Sequence, residues 1–501
     1  MKWRTQHIAA MVVLLLAGCT STGQTNGPSS QGAAAPPAQQ ASAPAQLKSP
    51  SELPKNLFYT NPVIKRGADP GVFRASDGKY YAYPTGGGGF RGNSSSDLVQ
   101  WKDEGQVLKA ADTFGDKNFW APQVLEYKGK FYMFYSAGKG EGKLHINVAV
   151  ADSPKGPFKD MLKEPLLNYE YSTIDPYVLI DDNGKIYMYY SNNLLPEGDK
   201  KVSSINVVEL NEDMSSIKSG PITVAKPEQS WEMQSGNNRW NEGAFVLKHD
   251  GTYYLMFSAN CYCNRNYSVG YATSKSPTGP FVKYKDNPIM SAEHTKVSGP
   301  GHHSIIPSPD GKEWWIMYHT HIDVKKGGGD RQLNIDRIGF RSDGSIYVNG
   351  PTITGQMRPS GTTGKWKNIA GDAKVSVSST KQGFTEKALN DGEIGLYRRF
   401  DKYDWVANNE TAGAWAQLTW PTQRVVKSVL IYESASGLRA LQTGKIILDD
   451  GTEIKDIEFP TEPGAAAIVN LAERKVKSIK VVIEKALTNE TGLSEIVVIG
   501  E

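Results

Sequence analysis

Apolar and polar positions along the central part of the chain follow one arrangement that recurs five times. An apolar strand leads into a glycine-bearing turn, and a second strand dense in aromatics follows. In the clearest copy, Glu242-Gly243-Ala244-Phe245-Val246-Leu247 precedes the turn Lys248-His249-Asp250-Gly251, and Thr252-Tyr253-Tyr254-Leu255-Met256-Phe257-Ser258 follows it. That is the pattern of a β-hairpin. The other turns are Asp77-Gly78, Lys128-Gly129, Asn183-Gly184 and Asp310-Gly311, and each runs into a Tyr-, Phe- or Trp-rich segment. The five glycines lie 51, 55, 67 and 60 residues apart. Repeats of this size built from small antiparallel sheets predict a β-propeller, here of five blades. No long helical period interrupts residues 56–360.

Nine residues before each turn glycine stand Asp69, Trp120, Asp175, Glu242 and His302. Register alone predicts that these five occupy one equivalent position and converge on one mouth of the central channel. Three carboxylates in one mouth repel each other, which raises at least one pKa. Packing gives no reason for such a cluster, whereas glycosidic hydrolysis requires one carboxyl held protonated and one carboxylate that activates water. A third acid can keep the proton donor's pKa high.

Outside the repeats the texture changes. Residues 1–18 combine Lys2 and Arg4 with an apolar run over 8–17, too short to span about 30 Å of bilayer, and read as an export signal. The run ends in Leu16-Ala17-Gly18-Cys19, which resembles a bacterial lipobox. It implies cleavage before Cys19, lipidation there, and a membrane-anchored place in the cell envelope facing the periplasm or the exterior. Residues 19–50, rich in Ser, Ala, Pro and Gln, read as a flexible linker. The propeller is expected over 51–360, with residues 56–64 as a candidate closure of the last blade. Strand-like runs at 374–378, 416–420, 425–432, 444–448, 454–459, 476–483 and 495–499 predict a β-sandwich over 370–501. Cys261 and Cys263 read as two thiols in a strand or loop in preference to a small disulfide ring. The net charge of +3, with no long basic run, gives no reason to expect nucleic acid.

Four segments carry a family resemblance. Arg66-Gly67-Ala68-Asp69-Pro70-Gly71, Ser172-Thr173-Ile174-Asp175-Pro176, Asn241-Glu242-Gly243-Ala244-Phe245 and Gly299-Pro300-Gly301-His302 resemble, in order and register, the motifs of glycoside hydrolase family 43. The resemblance covers about residues 56–350. It implies Asp69 as general base, Asp175 as the residue that orients the acid and modulates its pKa, and Glu242 as general acid. It also implies inversion by single displacement, with the base and acid carboxyls roughly 6.5–9.5 Å apart. Trp120 and Phe119 are candidate sugar platforms, and Tyr177, Trp240 and Phe90 weaker candidates for the wall. Arg331 matches a late family arginine aimed at the active site, with a sugar hydroxyl or Asp69 as its partner, while Arg337 reads as structural. His302 is a candidate for an axial water or, through water, a cation, and His303 is expected to face the other way. The resemblance implies no required cofactor and leaves structural calcium open in the channel or the C-terminal domain. Asn390-Asp391-Gly392, Trp405 and Gly413-Ala414-Trp415 resemble discoidin-like, galactose-binding jelly-roll modules.

The implied partner is plant cell-wall polysaccharide or oligosaccharide. Ala68-Asp69-Pro70, in place of a His-Asp-Pro segment, favours exo-acting α-L-arabinofuranosidase or β-xylosidase activity over endo-arabinanase, with a galactan-directed activity also open. Fructan and sucrose hydrolases share a five-bladed fold, but their Asn-Asp-Pro-Asn-Gly and Arg-Asp-Pro segments are missing here. A glycan-binding propeller without activity is the non-enzyme alternative, and it would not need all three acids.

Overall fold

The structure is a computed structural model that describes residues 43–293, 295–396, 403–434 and 441–501. The export signal, Cys19 and the linker through residue 42 lie outside the described residues. The described chain is all-β, with helix limited to short 3-10 turns.

Five blades follow each other along the chain. Blade 1 comprises Gly71–Arg74, Tyr80–Tyr83, Gly89–Ser95 and Lys102–Lys109, and blade 2 Lys117–Tyr127, Lys130–Gly138, Leu144–Ala151 and Lys159–Asp160. Blade 3 is Thr173–Ile180, Ile186–Asn192, Ile205–Leu210 and Ile217–Ala225, and blade 4 is Asn238–His249, Thr252–Ala259, Ser268–Ser274 and Val282–Lys283. Gly301–Pro307, Trp314–His321, Arg331–Phe340 and Ile346–Val348 make blade 5. A hairpin inserted after blade 3, Leu195–Glu197 with Lys200–Ser203, adds to the inner edge of blade 4, where Val202 pairs in parallel with Arg239.

The aromatic second strands have a direct physical reason. Each lies mid-blade and is covered on both faces by neighbouring blades, so Tyr80–Tyr83 and Ile186–Asn192 are buried throughout and do not alternate. One apolar core fills each of the five blade interfaces. All four strands of blade 5 come from one continuous segment. The segment before blade 1 docks on it: Ile64 bridges Leu333, and Asn61 bonds both backbone groups of Ile335.

The C-terminal region is a nine-stranded sheet folded around its own core. Its long strands, Trp415–Glu433 and Ala466–Ala486, carry register shifts around 419–428 and contribute buried residues to that core from both halves. Bulged strands that turn a corner in this way build a sandwich from one sheet. The linker expected up to residue 50 ends earlier, because Ala45–Leu47 pairs with Asn470-Val469-Ile468 of the sandwich. A further apolar cluster, including Leu57, Phe58, Trp366, Leu430 and Val497, joins propeller to sandwich.

Candidate active site

Each blade has a left-handed residue in or just before its first strand: Asp69, Ala121, Asp175, Gly243 and His302, with φ between 42° and 59°. In blades 2 to 5 the ladder shifts register there, as a β-bulge does. The amide of each left-handed residue turns out of its own ladder and bonds the preceding blade. Asp69 N–H donates to His319 Nδ1 at 3.3 Å, Ala121 to Thr85 Oγ1 at 3.0 Å, and Asp175 to Ser136 Oγ at 3.1 Å. Gly243 donates to Asp175 Oδ2 at 3.1 Å and His302 to Ser258 Oγ at 2.8 Å. A closed ring of side-chain to backbone bonds thus holds the channel mouth.

This ring corrects the nine-residue register. Blades 2 and 4 reverse through two-residue turns, with Tyr127 paired to Lys130 and His249 to Thr252. The other three turns are longer, with Arg74 paired to Tyr80, Ile180 to Ile186 and Pro307 to Trp314. The true counterparts of Asp69, Asp175 and His302 are therefore Ala121 and Gly243, one residue beyond Trp120 and Glu242. Glu242 enters the pocket from the ladder position opposite Ser258, unlike the two aspartates. Gly243 leaves room there: a Cβ on it would sit 3.1 Å from the His302 ring.

The three acids share one cavity of about 240 Å³ and have different electrostatic surroundings. Asp69 Oδ1 accepts from Arg331 Nη1 at 2.7 Å and Oδ2 from the Thr85 hydroxyl at 2.7 Å. His319 Nδ1 and His302 Nδ1 lie 3.2 and 3.4 Å from Oδ1. Burial pushes the Asp69 carboxyl up, but Arg331 first and then His302 outweigh it and hold the group well below the usual carboxylate range. Glu242 is the opposite case. Burial first, then the charge of Asp175, drives it well above its ordinary value, although the Tyr267 hydroxyl donates to Oε1 at 2.9 Å. Asp175 is raised by burial, partly offset by His302. Burial also pushes His319 down to about 3, so its ring is neutral.

The cavity brings together Asp69, Asp175, Glu242, Trp120, Trp240, His302 and Arg331. It does not include Phe119 or Tyr177, which corrects the expectation that both touch the sugar. Phe119 is fully buried with Phe90 and Tyr135 in the core between blades 1 and 2, because it faces away from its neighbour Trp120. Tyr177 lies beyond the bulge after Ile174 and packs on Phe245 at 4.6 Å. His303 packs against Phe245 and does not line the cavity of the acids, and Arg337 pairs with Glu313 at 2.8 Å.

Sequence reasoning missed several walls: Thr85, Ile174, Asn193, Leu194, Cys261 and Tyr262. Asn193 and Leu194 fall within the longest spacing between turn glycines, the 67 residues from Gly184 to Gly251, and the Cys-Tyr-Cys triplet was itself a signal. Cys261 and Cys263 are joined in a disulfide, contrary to the free-thiol reading. A turn closed by Asn264 N–H to Cys261 O brings their Cα atoms to 5.1 Å, within bridging range. Among the described residues no group of three or more His, Cys, Asp or Glu side chains is arranged to hold a metal ion.

Comparison with known proteins places these features in context. The profile for glycosyl hydrolases family 43 matches residues 59–346, and that of a domain of unknown function, DUF7402, matches residues 368–499. A β-D-galactofuranosidase of Aspergillus niger is 30% identical over 321 residues, which span 60% of this chain and 87% of the relative. A xylosidase/arabinosidase of Bacteroides ovatus is 27% identical over 320 residues, 56% of this chain and 94% of the relative. The solved structure of a thermostable family-43 glycoside hydrolase shares 42% identity and a TM-score of 0.57, covering 60% of this chain and 99% of that one.

Proposed function

The chain belongs to glycosyl hydrolases family 43, and from that premise we propose that this glycosidase removes terminal α-L-arabinofuranosyl or β-D-xylosyl units from plant cell-wall polysaccharide or oligosaccharide with inversion. Glu242 gives its proton to the leaving oxygen as the bond from that oxygen to the anomeric carbon breaks. A water forms the new bond on the opposite face, and its proton passes to Asp69. Asp175 keeps the acid protonated by its charge and holds the Gly243 amide beside it. The observation that carries the assignment is the opposite displacement of two carboxyls in one cavity, Asp69 down and Glu242 up. Environments that push two acids apart separate base from acid.

Walls contributed by all five blades favour a pocket that takes a chain end. The 30% identity to a β-D-galactofuranosidase favours, as a second reading, release of a galactose unit. Hydrolysis of the nitrophenyl arabinofuranoside, xyloside and galactofuranoside distinguishes these readings. Proton NMR of the first-formed sugar tests inversion, and a product that keeps the substrate's anomeric configuration would make Asp69 a nucleophile and sink the assignment.

Leu16-Ala17-Gly18-Cys19 supports export and lipid anchoring in the bacterial cell envelope. Palmitate labelling that survives Cys19→Ala would reject that anchor. A structural calcium ion in the C-terminal domain is consistent with Asp391 and Glu495, two hard oxygen donors raised first by burial, with the charge of Glu393 also acting on Asp391 and that of Asp391 on Glu495. Glu495 Oε1 has no hydrogen-bond partner. An unchanged unfolding midpoint after chelation would refute the ion.

A further inference from the structure

Tyr262 stands out against the large aromatics of the blades. It is 43% exposed, yet it lines the same cavity as the three acids. Four restraints hold it there. The Cys261–Cys263 disulfide closes the chain on either side of it. Its carbonyl accepts from His321 Nε2 at 2.7 Å, and His321 Nδ1 in turn bonds Ser298 Oγ at 2.8 Å. Beyond it, the Cys263 carbonyl accepts from Gly328 N–H at 3.1 Å, and before it Cys261 N–H donates to Ser235 Oγ at 3.0 Å. The Arg331 guanidinium lies 4.5 Å from the centre of the Tyr262 ring.

A partly exposed aromatic needs a reason to be pinned from both sides. A binding loop ordered in advance loses less entropy on binding. The CH-rich face of a sugar ring packs on an aromatic plane as other apolar groups do. We propose that Tyr262, preorganised by the Cys261–Cys263 disulfide, is a substrate-contacting platform that takes the apolar face of the bound saccharide and helps set which sugar is held. The inference rests on the glycosidase reading. Arg331 covers one side of the ring and also bonds Asp69, so the platform stands beside the base-bearing side of the pocket.

The test measures binding without turnover, by calorimetric titration of the full chain carrying Glu242→Gln with methyl α-L-arabinofuranoside and methyl β-D-xyloside, whose poor leaving groups need the missing proton. Loss of an aromatic contact of this kind predicts that Tyr262→Ala weakens binding about three- to tenfold. Tyr262→Phe and Tyr262→Trp keep the plane and should bind within about twofold of the parent, because the contact uses the ring face. Cys261→Ser with Cys263→Ser should weaken binding in the same direction with the ring present, because the loop must then be ordered on binding. A second readout uses the otherwise wild-type enzyme, where Tyr262→Ala raises KM and leaves the acidic limb of the pH profile in place. Equal affinity for Tyr262→Ala and the parent overturns the proposal. So does a moved acidic limb with unchanged affinity, which would reduce Tyr262 to a cover for Arg331. Failure of the Glu242→Gln parent to bind either glycoside, with no wild-type turnover, overturns the glycosidase reading and this inference with it.

Discussion

Replacing Arg331 by Met removes the cation that holds the base ionised. The Arg331 Nη1 to Asp69 Oδ1 distance is 2.7 Å, and the two side chains are only 10% and 12% exposed. At an effective dielectric of about 20, a contact of this length corresponds to about 6 kcal/mol of gross attraction. Not all of it is lost, because Thr85 and His302 still face the carboxylate. An aspartate beside a buried arginine is displaced by about one to three pH units, or about 1.4–4 kcal/mol. The sign follows from the role of the group. Asp69 must be ionised to accept a proton, so loss of the cation raises the pH below which activity falls. The acidic limb of kcat/KM should therefore move up by about one to three pH units in Arg331→Met, and return towards wild type in Arg331→Lys. Stopped assays with an aryl arabinofuranoside or xyloside from pH 3 to 10 measure it. A uniform drop at every pH with the acidic limb in place would refute the argument and make Arg331 a sugar-binding residue only.

Glu242→Gln should lower kcat/KM about 10²- to 10⁴-fold on substrates with a poor leaving group, and far less on dinitrophenyl glycosides, whose leaving oxygen needs no proton; equal losses on both would exclude the acid role. Asp175→Asn removes a charge that raises the Glu242 carboxyl, so the alkaline limb should move to lower pH, and a limb that stays or rises would contradict the electrostatic account. Lys283→Met should lower stability by about 3–5 kcal/mol in urea unfolding, because Glu232, fully buried and bonded to Lys283 and Asn241, would lose its countercharge. A loss under about 1 kcal/mol would mean that the pair is dispensable.

Local sequence carries information about period and chemistry, and both were legible here. The aromatic second strands could be read as a five-bladed propeller because burial on both faces makes them apolar without interruption. Asp69, Asp175 and Glu242 were legible because mutual repulsion gives packing no reason to gather three acids at one mouth. Facts that depend on a single-residue step in register were not legible. A two-residue turn and a longer one can carry the same glycine, so only the paired strands reveal that Glu242 and Trp120 stand one residue before the position held by Asp69 and Asp175. The same step sends Phe119 into a core and Trp120 into the pocket. A bulge, invisible in composition, turns Tyr177 away from the sugar. Contacts between distant segments belong to the tertiary structure alone: Arg331 on Asp69, 262 residues apart, Tyr267 on Glu242, and Tyr262 against Arg331. Those contacts set which carboxyl keeps its proton, because desolvation and neighbouring charge are properties of a place in the fold and not of a residue type.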